Sequence, residues 1–222
     1  MEVKLNKYID HTLLKPEATK QEIIKLCQEA KQYDFATVCV NTCWTSLCKE
    51  LLKDSNVGIT NVIGFPLGAC LTEVKVFETQ QAIKNGADEI DMVLNIGALK
   101  DKNYQLVLED MKQVKQAAKD HVVKCIMENC LLTEDEIVKA CQLAVEAGLD
   151  FVKTSTGFNK SGATFKDIEL MSKTINNQAQ VKAAGGVRTY DDAIKMIQAG
   201  ATRLGTSGGV AIMLGNEHNQ GY

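Results

Sequence analysis

Short apolar runs alternate with amphipathic stretches eight times between residues 8 and 206, and this rhythm admits very few folds. The runs YIDHT (8–12), ATVCV (36–40), TNVIGF (60–65), EIDMVL (89–94), VVKCIME (122–128), DFVKTS (150–155), QVKAA (180–184) and TRLGT (202–206) read as strands. Helical patterns fill the gaps. In TEDEIVKACQLAVEAG (133–148), Thr133 and Glu136 form a capping-box signature, and Ile137, Ala140, Cys141, Ala144 and Val145 share one face. Gly148 then supplies a left-handed stop. Thr19/Glu22, Thr164/Asp167 and Thr189/Asp192 repeat the start signal, while NGAD (85–88) and QAGAT (198–202) repeat the stop. Strands separated by helices pair in parallel through crossovers. Eight such units in 222 residues predict a single (β/α)8 TIM barrel over 1–222, with 216–222 a mobile C-terminal tail. A doubly wound open sheet is the alternative, but no G-x-G-x-x-G follows the first strand.

A net charge of −3 without a local basic run gives no footprint for nucleic acid. No window has the length of a membrane span, and MEVKLNKYIDHT has no apolar core of signal-peptide length, so a cytoplasmic protein is expected. The eight cysteines form no C-x-x-C pair, and no histidine has ligand spacing to one. They are expected mostly as small buried apolar residues, with no metal site and no cofactor.

Alternation of side chains along each strand sorts the charges. Asp91 shares a face with Glu89 and Val93; Lys124 with Ile126 and Glu128; Lys153 with Phe151 and Ser155; Lys182 lies opposite Val181 and Ala183. In each strand the apolar parity suits the layer under the helices, which sends Asp10, Cys39, Asp91, Lys124, Glu128, Lys153 and Lys182 into the barrel. Barrel interiors are normally filled by branched apolar side chains, so this many inward charges point to chemistry as well as to ion pairing.

Lysines 153 and 182 fall on neighbouring strands. A lysine attacks a carbonyl only when neutral, and both desolvation and a second ammonium favour that form. One lysine is therefore a candidate nucleophile and the other its perturber; spacing alone leaves the assignment open. The turns TSTGF (154–158), AAGGVRT (183–189) and GTSGG (205–209) follow these late strands. Glycine-rich turns of this kind bind anions through backbone N–H groups, so a phosphorylated substrate is expected.

The segments YIDHTLLKPEAT, IGFPLGA, ADEIDMVLNIGAL, VKTSTGF, KAAGGVRT and RLGTS, in this order from Tyr8 to Gly209, resemble the motifs of the deoxyribose-phosphate aldolases. The resemblance implies a metal-free class I aldolase that reversibly cleaves 2-deoxy-D-ribose 5-phosphate to D-glyceraldehyde 3-phosphate and acetaldehyde. It implies Lys153 as Schiff-base lysine, Lys182 as the residue lowering its pKa, and Asp91 in a proton relay through a water. Asp10 and Glu128 would line the site in support of that network, and Cys39 would line the pocket without a catalytic role. Gly157, Gly185, Gly186, Arg188, Gly205 and Ser207 match phosphate-binding segments. Tyr222, ending the polar tail GNEHNQGY, would fold over the site and assist proton transfer at the enamine; the plain reading of such a tail is a disordered terminus. A homodimer is also implied.

Several positions depart from the family pattern. Thr42 stands where proline is common, Asn129 where threonine is common, and Gly208 where a second serine is common. Phe158 replaces a lysine of some relatives, so dipoles are expected to meet most of the phosphate charge. Two other functions suit the same residues: a transaldolase-like enzyme acting on another sugar phosphate, and a non-catalytic phosphate-binding barrel. Trp44, His11, His121 and His218 belong to no motif.

Overall fold

The computed structural model describes residues 4–218. Eight parallel strands close on themselves in chain order: β1 (Ile9–Leu13), β2 (Thr37–Val40), β3 (Gly58–Ile63), β4 (Glu89–Val93), β5 (Val122–Ile126), β6 (Phe151–Lys153), β7 (Gln180–Ala184) and β8 (Arg203–Thr206). This is the (β/α)8 barrel that the alternation predicts. The crossover helices are α1 (Lys20–Tyr33), α2 (Thr45–Leu52), α3 (Thr72–Lys84), α4 (Ile96–Lys100), α5 (Tyr104–Ala118), α6 (Glu134–Glu146), α7 (Phe165–Ile175) and α8 (Tyr190–Gln198), with a short α9 (Gly209–Met213) after the last strand.

The helix boundaries have local causes. Thr19, Thr133 and Thr189 each accept the backbone N–H of the third helical residue, while Glu22, Glu136 and Asp192 return a bond to the cap backbone. Thr164 makes only the first half of this box, accepting from Asp167 N. At the other end, Gly86, Gly148 and Gly200 have φ of 109°, 74° and 115°, a region that costs glycine little. The chain then reverses through bonds such as Leu149 N to Ala144 O (3.0 Å).

The parity expected along the strands is present. Val38, Ile59, Ile90, Met92, Val123, Cys125, Val152, Val181 and Leu204 are buried in the layer between barrel and helices. Each such burial contributes about 1.5–3 kcal/mol. The opposite parity fills the lumen, and register aligns it: Asp10 with Thr37, Asp91 with Lys124, Lys153 with Lys182, and Lys182 with Arg203. Cys39, Leu14 and Val62 form a separate small apolar cluster. Five cysteines (27, 39, 48, 125 and 141) are buried, and all eight are free thiols.

Expected strand limits differ from the observed ones by up to two residues at either end. β3 stops at Ile63 and β5 at Ile126, so Phe65 and Glu128 belong to loops. Thr42 begins a 3-10 turn, and its hydroxyl donates to Glu78 at 3.2 Å. Glu78 also accepts Gly64 N at 2.9 Å, tying the loops after β2 and β3 to α3.

The capping box on α6 gives a direct check on this local logic. Thr133→Ala removes the acceptor for Glu136 N, and the expected cost is about 1 kcal/mol in a denaturant titration. An unchanged midpoint would show that tertiary packing alone sets the start of α6.

Candidate active site

Three lysines converge on one carboxylate. Asp91, fully buried on β4, accepts Lys124 at 2.8 Å on Oδ1, and both Lys153 and Lys182 at 2.8 Å on Oδ2. The β6 and β7 lysines therefore meet in one compartment, as neighbours in register. Lys182 has a second anion: its Nζ lies 2.5 Å from Asp10 Oδ2. Asp10 is held in turn by Thr37 (2.7 Å) and by Arg203 (2.6 Å). Arg203 also pairs with Glu89 at 2.8 Å, and Glu89 accepts Lys124 at 2.5 Å. Phe151 forms an aromatic wall beneath Lys124 and Arg203, at 5.8 and 5.6 Å from its ring centre.

The network thus holds four cations, Lys124, Lys153, Lys182 and Arg203, against three carboxylates, Asp10, Glu89 and Asp91. Burial alone would push Asp91 up, but the three ammonium groups hold it well below the usual carboxylate range. Asp10 is likewise held down, by Lys182 and Arg203 against the effect of burial. The two lysines then separate. Burial lowers the Lys153 pKa, and repulsion from Lys182 adds to it, with Asp91 opposing. Burial also works against charge on Lys182, yet Asp10 and Asp91 outweigh it and hold this amine well above the ordinary lysine value. The surplus cation of the cluster is Lys153, the group most easily made neutral.

Not every charge assigned to the lumen joins this network. Parity carried Glu128 inward beside Lys124, but β5 ends two residues earlier and Glu128 itself has φ of 57°. Its carboxylate accepts Thr156 N at 3.1 Å and, more closely, the Thr156 hydroxyl. Glu128 therefore braces the loop after β6, where Thr156 Oγ1 also accepts Phe158 N at 3.0 Å. Asn129 is buried beside it, its N–H donating to Thr154 O at 3.0 Å. Cys39 is fully buried, and desolvation raises its thiol pKa.

At the C-terminal mouth, the loops after β6, β7 and β8 surround a polar cavity of ≈ 170 Å³. It brings together Gly157, Gly185, Gly186, Arg188, Gly205 and Ser207, the six residues singled out from the turns. Gly157, Gly185 and Gly186 have φ of 88°, 70° and 80°, so the chain can turn there only with glycine at low cost. The loops also touch backbone to backbone: a side chain at Gly162 would place Cβ 2.3 Å from Gly185 C. Lys160 and Arg188 both line this cavity and both are exposed. Two cations are thus at hand beside the glycine turns whose dipoles were expected to meet most of a phosphate's charge. Phe158, in place of a lysine, instead packs edge-on against Phe65 with ring centres 5.3 Å apart.

Sequence reasoning missed Glu89 and Arg203 as partners, and Lys160 and His218 as lining residues. Glu89 was visible by parity beside Asp91, whereas no local pattern marks the others. Tyr222 lies outside the described residues. Among the described residues, no helix is long and apolar enough to cross a membrane, and no group of three or more His, Cys, Asp or Glu is placed to hold a metal ion.

Known proteins share both the sequence and the architecture. The sequence pattern of the DeoC/LacD family aldolases matches residues 4–215. A deoxyribose-phosphate aldolase of Mycoplasma capricolum subsp. capricolum is 79% identical over 222 residues, covering 100% of both chains. A crystal structure of a candidate deoxyribose-phosphate aldolase from Coccidioides immitis superposes with a TM-score of 0.94 at 46% identity, over 95% of this chain and 85% of that one. The tetrameric deoxyribose phosphate aldolase of Aeropyrum pernix gives 0.88 at 32% identity, over 95% and 89%. With a lysine pair on one buried carboxylate and a family pattern spanning nearly all of its length, this chain belongs to the DeoC/LacD aldolase family.

Proposed function

We propose that this chain reversibly cleaves 2-deoxy-D-ribose 5-phosphate to D-glyceraldehyde 3-phosphate and acetaldehyde, through a Schiff base on Lys153. The observation that carries the reading is the unequal treatment of two lysines that share Asp91 Oδ2: one amine destabilised as a cation, the other fixed as one. An imine-forming enzyme needs a neutral amine beside a group that stays charged. The relatives named deoxyribose-phosphate aldolase supply the substrate.

Neutral Lys153 adds to C1 of the open-chain aldehyde, and loss of water leaves an iminium. That cation draws in the electron pair of the C2–C3 bond as the C3 hydroxyl gives up its proton. The proton leaves through a water to Asp91. Asp91 is a weak base while Lys124, Lys182 and the iminium cation surround it; as C2–C3 cleavage turns the iminium into a neutral enamine, one of these three positive charges is lost, and its basicity rises at the step that needs it. Glyceraldehyde phosphate departs, the enamine is protonated at C2, and hydrolysis releases acetaldehyde and the free lysine. Lys160, Arg188 and the glycine turns hold the phosphate at the mouth, fixing the aldehyde end toward the lumen. Tyr222, four residues beyond the cavity-lining His218, is proposed to deliver the proton to the enamine. The protein is proposed to work in the cytoplasm, as a homo-oligomer of one-domain chains.

Borohydride added to enzyme and substrate should leave a reduced adduct on the peptide carrying Lys153. An adduct on Lys182, or none at all, would contradict the assignment. The pH profile tests the electrostatics. Below its own pKa Lys153 is protonated and unreactive, so activity falls on the acid side. Lys182→Met deletes a like charge and leaves Asp10 and Asp91 less neutralised; both changes raise the Lys153 pKa. The acid limb of kcat/KM is therefore expected to move to higher pH by about one unit or more, each unit being about tenfold in activity at fixed neutral pH. A limb that stays in place or moves down would remove Lys182 from this role. Tyr222→Phe should slow exchange of acetaldehyde methyl protons with solvent about tenfold or more while leaving the Lys153 adduct, as general acid catalysis is worth about 10²–10⁴. Unchanged exchange would assign that proton to another group.

A further inference from the structure

We infer that His218 is a positioning residue for the phosphate end of the substrate, seated where it is because residue 208 has no side chain. The inference rests on the sugar-phosphate reading above. A Cβ built on Gly208 would fall 2.5 Å from both Cβ and Cγ of His218, far inside contact distance. The backbone does not require glycine there, because φ is −91° and ψ 20°. What excludes a side chain at this position is His218, through both its Cβ and its imidazole. His218 Nε2 lies 3.1 Å from Ser207 Oγ, and the His218 backbone N–H donates to Arg188 O at 2.9 Å. A single residue therefore joins the loop after β8 to the loop after β7, on the rim of the ≈ 170 Å³ cavity that Arg188, Ser207 and His218 all line.

His218 and Ser207 also line an adjoining cavity of ≈ 180 Å³, so together they form the wall between the two. The chemistry of the pair follows from hydrogen-bond roles. When Nε2 carries hydrogen it donates to Ser207 Oγ, and the serine keeps its own O–H to donate onward. A phosphate oxygen in the cavity is the acceptor that selects this arrangement, giving a charge-assisted bond. With the other tautomer Ser207 donates to the ring and is lost to the ligand. His218 thus acts through Ser207, and its contribution appears only with substrates that carry a phosphate.

Four proteins decide the matter: wild type, His218→Ala, His218→Gln and Gly208→Ala. For each, kinetics with 2-deoxyribose 5-phosphate and unphosphorylated 2-deoxyribose are compared, and inorganic phosphate is titrated by calorimetry. In His218→Ala, KM for the sugar phosphate should rise about tenfold, with kcat moving less than KM and phosphate affinity falling by a similar factor. The preference for phosphorylated over unphosphorylated sugar should fall to match. His218→Gln, which retains a donor at the Nε2 position, should recover most of the loss. Gly208→Ala, which displaces His218, should reproduce the His218→Ala phenotype. Equal losses on both sugars, or unchanged phosphate affinity in His218→Ala, would overturn the inference. Should the wild type release no acetaldehyde, the aldolase reading fails, while the phosphate titrations still decide the role of His218.

Discussion

Everything distinctive about this barrel follows from one carboxylate, Asp91, shared among three lysines. A lone buried ammonium would be expelled or neutralised; a lone buried carboxylate would be protonated. Gathered on one another, they stay, but with four cations on three anions the balance is one charge too positive. The asymmetry between Lys153 and Lys182 then has a simple origin. Among the described residues, Lys182 touches two carboxylates, Asp10 and Asp91, whereas Lys153 touches only Asp91. Two unit charges about 4 Å apart interact by about 4 kcal/mol at an effective dielectric near 20, so one neighbour more or less is enough to decide which amine gives up its proton.

The fold makes that asymmetry possible by fixing register. Parallel pairing puts Lys153 beside Lys182 and Asp91 beside Lys124, and closure brings Asp10 on β1 next to Gly205 on β8. Arg203 and Glu89 reach each other across the lumen, although 114 residues separate them. Above this charged layer the strands release their loops, and the glycines of those loops make room for an anion while Lys160 and Arg188 supply opposing charge. The amine proposed to react and the turns proposed to grip the phosphate thus come from successive parts of the same strand–loop units, with Glu128 bracing the loop after β6 through Thr156.

Much of this was legible before any coordinates, because it rests on local repetition. Eight apolar runs, threonine caps and glycine stops specify the barrel, and period-two alternation places Asp10, Asp91, Lys124, Lys153 and Lys182 on the inner face. What escaped is what depends on long-range meeting. Arg203 begins β8 with no pattern around it, and its partners Asp10 and Glu89 come from distant strands. Lys160 sits in a loop whose path is set by the contact of Gly162 with Gly185. Glu128 was misplaced because alternation was extended past Ile126, where the strand has already ended. The role of Gly208 looked like a lost hydroxyl; only the neighbouring His218 explains the missing side chain.

The central claim is that two lysines on one carboxylate oxygen titrate far apart, and NMR of lysines labelled at Cε measures this directly. The Lys153 signal should titrate below the ordinary lysine value of about 10.4, while Lys182 remains protonated through the same range. Lys153 titrating at or above that value, or the two signals moving together, would contradict the account.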